Sequence, residues 1–180
     1  MRSVLAFIAV ALIGAQPSYS FAAESKFAKV KMINGNRQDV GEATLAEGPS
    51  GVLIRLSLRA KPEGISPGTH AIHIHNIGKC EPPFKSAGDH FDPINKKHGF
   101  FNKDGKHIGD LPNIHVPENA PLIVEFLVPQ LSLGGGKYSV FDSDGSALVI
   151  HQGADDYMTD PAGNAGDRVA CGVIESAPAK

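Results

Sequence analysis

Short segments in which apolar and polar residues alternate recur along this chain. Residues 54–59 read Ile, Arg, Leu, Ser, Leu, Arg, which places the three apolar side chains on one face of a strand. Comparable segments predict seven more strands, at residues 26–33, 40–46, 69–76, 122–128, 137–141, 147–151 and 168–174. No stretch has a convincing helical period. The chain is therefore predicted to be all-β, an eight-stranded antiparallel barrel or sandwich.

Histidines and an aspartate are concentrated between residues 73 and 151 at spacings that suit two metal ions with one shared ligand. Neutral imidazole is a good ligand for copper and zinc, and a carboxylate is a good ligand for zinc. The seven candidate ligands are His73, His75, His90, His98, His107, Asp110 and His151.

The strand histidines are expected to face the same way. His73 and His75 are two residues apart, so they share a strand face opposite Ile72 and Ile74. The same alternation places His151 on the outer face of its strand. Three nitrogen ligands are therefore predicted on one surface, and a histidine-rich set of this kind suits copper.

Residues 77–114 and 152–167 interrupt the succession of strands and turns. Both segments are long, polar and rich in glycine and proline. Loops of this length in a compact domain are usually functional or disordered. Most candidate ligands lie in the first segment or on the flanking strands, so we expect functional loops. His90, His98, His107 and Asp110 together would make a closed four-ligand site of the kind that holds structural zinc.

Two other histidines receive different interpretations. His70 lies on the inward strand face with the isoleucines and is expected to be a core residue with its hydrogen bonds satisfied. His115 follows the first long segment and is expected to be exposed, with a structural rather than a metal-binding role.

Residues 1–22 have the features of a cleaved signal peptide. Arg2 precedes an apolar stretch at 4–15, and Ser20-Phe-Ala22 offers small residues for cleavage. An apolar stretch of about 12 residues is too short to span ~30 Å of hydrocarbon, so no membrane span is predicted. The mature domain is expected to be 23–180, periplasmic if the source is bacterial and otherwise extracellular.

The formal net charge of −2 and the absence of a basic cluster argue against nucleic acid as a partner. Cys80 and Cys171 are the only cysteines, in a compartment that permits disulfides. A bridge between them would close a loop of about 90 residues, worth ~4–5 kcal/mol in the chain-entropy model. Free thiols and metal ligation are the alternatives at this point.

The motifs resemble those of secreted copper/zinc superoxide dismutases over essentially the whole mature chain. Taken together they are highly specific. They include His73-Ile-His75, Ser86-Ala-Gly-Asp-His-Phe91, Lys106-His-Ile-Gly-Asp-Leu111 and Gly163-Asn-Ala-Gly-Asp-Arg-Val-Ala-Cys-Gly-Val-Ile174. The family fold is an eight-stranded Greek-key barrel, which agrees with the number of strands predicted from the alternation.

The resemblance implies one copper and one zinc ion per subunit. It implies copper on His73, His75, His90 and His151, and zinc on His90, His98, His107 and Asp110, with His90 bridging the two. It further implies that Asp155 orients ligand histidines of both metals, that Arg168 is the active-site arginine, and that Cys80 and Cys171 form a disulfide.

The implied activity is the conversion of two superoxide anions and protons to oxygen and hydrogen peroxide, by alternate reduction and reoxidation of bound copper. The alternative within the fold is a non-enzymatic secreted copper/zinc-binding or copper-delivery protein. An electron-transfer copper protein would require a cysteine thiolate ligand. The sequence leaves open whether the subunit forms a homodimer.

One departure from the family concerns the attraction of the anionic substrate. Members of the family commonly carry lysine in the segment that corresponds to 152–167, which here contains four aspartates and no lysine. Attraction of superoxide is therefore expected to depend on Arg168, the metals and lysines of other loops.

Overall fold

The computed structural model describes residues 26–178. Their regular structure consists of strands and one short 3-10 turn at Lys85–Ala87. The strands are β1 (Phe27–Asn34), β2 (Asp39–Gly48), β3 (Gly51–Leu58), β4 (Gly68–His70), β5 (Ile72–His75), β6 (Ile114–Val116), β7 (Leu122–Val128), β8 (Ala147–His151) and β9 (Arg168–Ala177).

Seven strands form one antiparallel sheet in the order β5-β8-β9-β1-β2-β3-β7, and β4 pairs with β6 beside it. The large sheet curls into a half-barrel. Strands β3 and β7, and strands β5 and β8, are neighbours in the sheet although they are distant in sequence, as Greek-key connections require. The prediction of an all-β antiparallel fold is confirmed.

The alternating segments build the core as expected. On β3, Ile54, Leu56 and Leu58 are buried while Leu53 and Arg55 are exposed. Leu56 lies between Ala43 on β2 and Val124 on β7. Complete burial of a leucine side chain contributes about 1.5–3 kcal/mol, so the inward face of the sheet is the main source of stability.

The predicted strand at 69–76 is two strands, separated at Ala71. The Ala71 N–H donates to the carbonyl oxygen of Gly153 at 2.7 Å, and its carbonyl oxygen accepts from the His151 N–H at 2.9 Å. These bonds end the pairing of β4 with β6 and begin the pairing of β5 with β8. The chain therefore changes partners within one residue.

Two other predictions about the strands are wrong. Residues 137–141 are not a strand, because Ser132 binds the backbone of Tyr138 and Val140, which leaves only an isolated bridge to Ser139. Conversely, strand β6 (Ile114–Val116) was not predicted, and it begins at the last residue of the predicted loop 77–114. We call residues 76–113 the first loop and residues 152–167 the second loop.

The predicted signal peptide at residues 1–22 lies outside the described residues. Within residues 26–178, no helix has the length and apolar character needed to cross a membrane.

The outer face of β5 and β8 is not solvated. His73, His75, Val149 and His151 are all buried, as are Ile72 and Ile74 on the opposite face of β5. The two loops cover this face. The histidines consequently lie in a sealed layer between the sheet and the loops.

Candidate metal centre

Four imidazoles converge in this sealed layer. His73 and His75 come from β5, His151 ends β8, and His90 enters from the first loop. Their ring centroids are between 4.1 and 6.4 Å apart. Each ring has one buried nitrogen without a hydrogen-bond partner: Nδ1 of His73 and Nε2 of the other three. We call these residues the four-histidine cluster.

The opposite nitrogens of the strand histidines have protein partners that fix the rings. His73 Nε2 donates to Asp155 Oδ2 at 2.8 Å, and His75 Nδ1 donates to the Gly88 carbonyl oxygen at 2.9 Å. His151 Nδ1 lies 3.3 Å from the Gly166 carbonyl oxygen. Because a neutral imidazole has one N–H and one lone pair, these bonds direct the lone pairs toward one another. Convergent lone pairs without donors are suited to a transition-metal cation.

Burial keeps these histidines neutral. It is the largest cause that lowers the pKa of His90 to about 4 and the pKa of His151 to about 3. Burial also lowers the pKa of His75 well below its ordinary value, and the nearby positive charge of Arg168 adds to that effect. Metal ligands must be deprotonated, so the cluster can accept a cation at neutral pH without losing protons from these rings.

A second group of ligand atoms surrounds Asp110. Its Oδ1 lies 2.8 Å from His90 Nδ1, 3.0 Å from His98 Nδ1 and 3.2 Å from His107 Nδ1. Its Oδ2 accepts from the backbone N–H groups of Gly99 and His107, both at 3.0 Å. Burial alone would raise the pKa of Asp110, but the three imidazoles and these bonds hold it well below its usual range. We call this group the Asp110 cluster.

His73 also lies within ligand distance of His90, His98 and Asp110. Its two ring nitrogens are nevertheless directed elsewhere, Nε2 to Asp155 and Nδ1 to the four-histidine cluster. His107 directs its Nδ1 at Asp110 instead. Ring orientation therefore favours His107 over His73 as the fourth member of the Asp110 cluster.

Asp155 joins the two clusters. Its Oδ2 accepts from His73 Nε2 at 2.8 Å and its Oδ1 from His98 Nε2 at 2.9 Å. Burial opposes the negative charge, but these bonds and the Tyr157 N–H lower the pKa of Asp155. Burial likewise opposes the positive charge of His98, but the Asp110 and Asp155 carboxylates outweigh it and raise the pKa of His98 to about 9.

Comparisons with known proteins identify the family. The family model for copper/zinc superoxide dismutase matches residues 40–174. The chain belongs to the copper/zinc superoxide dismutase family. It is 47% identical over 160 residues to "Superoxide dismutase [Cu-Zn] 1" of Aquifex aeolicus, and the alignment covers 88% of this chain and 92% of that protein.

Two further comparisons agree with this membership. The chain is 43% identical over 145 residues to "Superoxide dismutase [Cu-Zn]" of Caulobacter vibrioides, covering 78% of this chain and 81% of that protein. A crystal structure of a SOD-like protein from Bacillus subtilis superposes with a TM-score of 0.75 at 39% identity, covering 81% of this chain and 96% of that chain.

In this member of the copper/zinc superoxide dismutase family, Arg168 and His75 of the four-histidine cluster donate to the same acceptor, the Gly88 carbonyl oxygen. Its Nη1 donates to the Phe84 carbonyl oxygen at 2.8 Å and its Nη2 to the Gly88 carbonyl oxygen at 2.7 Å. Gly88 also accepts from His75. Within residues 26–178, Arg168 forms no ion pair with its neighbour Asp167.

The disulfide fixes the first loop to the sheet. Cys80 in that loop is bonded to Cys171 on β9, with a Cα–Cα distance of 5.6 Å. Cys171 is fully buried in a small apolar cluster with Phe84 and Val149. Both cysteines are committed to the bridge, so neither can supply the thiolate of an electron-transfer copper site.

The remaining histidines lie where they were expected. His70 is buried, with its Nδ1 2.8 Å from the His151 carbonyl oxygen and its Nε2 2.7 Å from the Ser66 carbonyl oxygen. His115 is exposed and belongs to neither cluster.

Sequence reasoning did not find the backbone acceptors at Gly88 and Gly166, because a carbonyl group carries no information about residue type. It also did not single out Asn113, whose side chain binds the backbone of Asp155. The only available indication was an isolated amide residue between Pro112 and the apolar β6.

Proposed function

We propose that this chain is a superoxide dismutase with copper in the four-histidine cluster and zinc in the Asp110 cluster. The copper ligands are His73, His75, His90 and His151; the zinc ligands are His90, His98, His107 and Asp110. The observation that carries the proposal is the convergence of four buried nitrogens without hydrogen-bond partners beside a second cluster that shares His90.

When bound, copper supplies a one-electron carrier: one superoxide anion is oxidised to oxygen, and a second takes up the electron and two protons to become hydrogen peroxide. The protein supplies position, charge and protons. Arg168 places a fixed positive charge and N–H donors beside His75, where an anion approaching the cluster would meet them. His90 is the group placed to carry a proton at Nε2, because its Nδ1 is directed at Asp110.

Asp155 contributes to the same reaction by orienting two ligand histidines. One carboxylate binds a ring from each cluster, which fixes the tautomer of His73 and the position of His98. Partners of this kind set the direction and basicity of a ligand lone pair.

We further propose that the mature domain, residues 23–180, is exported, to the periplasm if the source is bacterial and otherwise outside the cell. Two observations support export: the Cys80–Cys171 disulfide, which persists in oxidising compartments, and the signal-like sequence at residues 1–22. Mass spectrometry of the exported protein would test the cleavage site, and analytical ultracentrifugation would distinguish a monomer from a homodimer.

Metal analysis of the purified protein beside a dismutase assay tests the central proposal. We expect one copper and one zinc per chain and rapid removal of superoxide. His75→Ala should abolish activity, since His75 is a ligand only of the redox-active metal. His115→Ala is the matched control, because His115 is exposed and outside both clusters, and it should behave as wild type.

The alternative is a metal-binding or copper-delivery protein without turnover. A copper-loaded sample that leaves superoxide to decay at its uncatalysed rate would favour that alternative. The presence of Arg168 and of a complete ligand set favours the enzyme.

A further inference from the structure

Asp155 joins residues from two other parts of the chain, yet it lies on the second loop, away from the regular strands. His73 is on β5 and His98 is in the first loop. A loop carboxylate keeps such a position only if its backbone is held. The residue that holds it is Asn113, which immediately precedes β6 and is therefore anchored by the pairing of β6 with β4.

The contact between Asn113 and Asp155 is reciprocal. Asn113 Nδ2 donates to the Asp155 carbonyl oxygen at 2.9 Å, and Asn113 Oδ1 accepts from the Asp155 N–H at 2.9 Å. Both backbone polar groups of Asp155 are thus bound by one side chain. Only a side-chain amide offers a donor and an acceptor in this arrangement, because a carboxylate has no N–H and an alkyl group has neither.

Tyr157 makes hydrogen bonds to both Asn113 and Asp155. Its hydroxyl oxygen accepts from the Asn113 backbone N–H at 2.7 Å, and its own N–H donates to Asp155 Oδ1 at 2.6 Å. The rings of Phe100 and Phe101 pack edge-on against the Tyr157 ring, with centroids 5.3 and 5.8 Å away. Through these aromatic contacts, Tyr157 also connects the second loop to the segment of the first loop that follows His98.

We propose that Asn113 is a positioning residue for Asp155 and, through it, for the histidines of both metal sites. It touches neither metal cluster itself. Its amide fixes the backbone of Asp155 so that the carboxylate is aligned with His73 and His98 before a cation arrives. The inference rests on the proposed function, because it takes His98 as a zinc ligand.

The rate of zinc release from the metal-loaded, full-length protein to a chromophoric chelator tests this role. Asn113→Asp removes the donor and keeps the shape, while Asn113→Leu removes donor and acceptor. Loss of a partner that orients a metal ligand typically weakens metal binding 10–100-fold, so we expect release to be about tenfold faster, with Leu exceeding Asp. Asp155→Asn is the reference for complete loss of the bridge.

Asn34→Asp is the matched control. Asn34 is buried, whereas Asn113 is half-buried, and it likewise binds backbone groups through both side-chain atoms: it donates to the Glu63 carbonyl oxygen and accepts from the N–H groups of Asn36 and Gln38. It makes no hydrogen bond to either cluster within residues 26–178. The control should melt at a lower temperature and release zinc at the wild-type rate.

If the Asn113 variants do not fold, Tyr157→Phe tests the positioning role instead, because it removes only the hydroxyl acceptor of the Asn113 N–H. This variant should release zinc faster than wild type. Wild-type release from the Asn113 variants, or equal acceleration in Asn34→Asp, overturns the positioning role. If Asp155→Asn releases zinc rapidly in that same experiment, the proposed function stands. A wild-type chain that retains no zinc overturns both the positioning role and the proposed function.

Discussion

Removal of the disulfide is the perturbation whose effect can be worked out most directly from this structure. Replacing Cys80 and Cys171 by alanine removes the disulfide that links the first loop to β9. Alanine is preferable to serine at the second position, because Cys171 is fully buried among apolar side chains and a hydroxyl there would lack a partner.

The size of the effect follows from the sequence separation of 91 residues between the two cysteines. In the chain-entropy model, a loop of that length corresponds to ~4.6 kcal/mol of stabilisation at 25 °C. For a domain of this size each kcal/mol shifts the melting temperature by roughly 2–4 °C, so the double variant should melt about 9–18 °C lower than the oxidised wild type.

Differential scanning calorimetry of the metal-free proteins measures this shift without the stabilisation that bound metal would add. Wild type reduced with dithiothreitol is the control for lost packing, because it retains both sulfur atoms and lacks only the bond. The variant and the reduced wild type should melt close together. A fall of less than about 3 °C, or roughly 1 kcal/mol, in both samples would refute the reasoning.

Three further outcomes are expected. Arg168→Ala should keep its copper and lose most of its activity, with a weaker dependence on ionic strength because salt screens the field of that charge; stopped-flow rates and metal analysis check this, and wild-type turnover with unchanged salt dependence contradicts it. His98→Ala should lose zinc and keep most of its copper by elemental analysis, and the reverse pattern would reverse the assignment. Gly163→Ala should lower the melting temperature, because its φ of +64° costs alanine ~1–2 kcal/mol and its Cβ would overlap Asp155 Oδ1; wild-type melting would contradict this.

Alternation predicted which side chains form the core, and spacing predicted which histidines share a strand face. Ile54 and Leu56 are buried as expected, and His73 and His75 meet His151. These features depend on local periodicity, which the sequence displays directly. The burial of the outer face was not predictable in this way, because it depends on loops that cross over the strand from distant positions.

The unpredicted details share a physical cause. The break at Ala71 results from backbone bonds to His151 and Gly153, and nothing in the identity of an alanine indicates them. The strand predicted at 137–141 has a strand-like pattern with a buried Val140, but Ser132 binds the backbone there. In each case the backbone formed hydrogen bonds to residues other than the partners that strand pairing would have supplied.

The position of His90 has a thermodynamic consequence for the affinities of the two metals. Its Nδ1 is directed at Asp110 and its Nε2 into the four-histidine cluster, so one ring belongs to both sites. If zinc binding changes copper affinity by some factor, linkage requires that copper binding change zinc affinity by the same factor. Measuring either metal in the absence of the other therefore yields only part of its affinity. The missing part is a coupling free energy that belongs to neither ion. Titrations with zinc first or with copper first must therefore give the same total free energy of binding for the two metals.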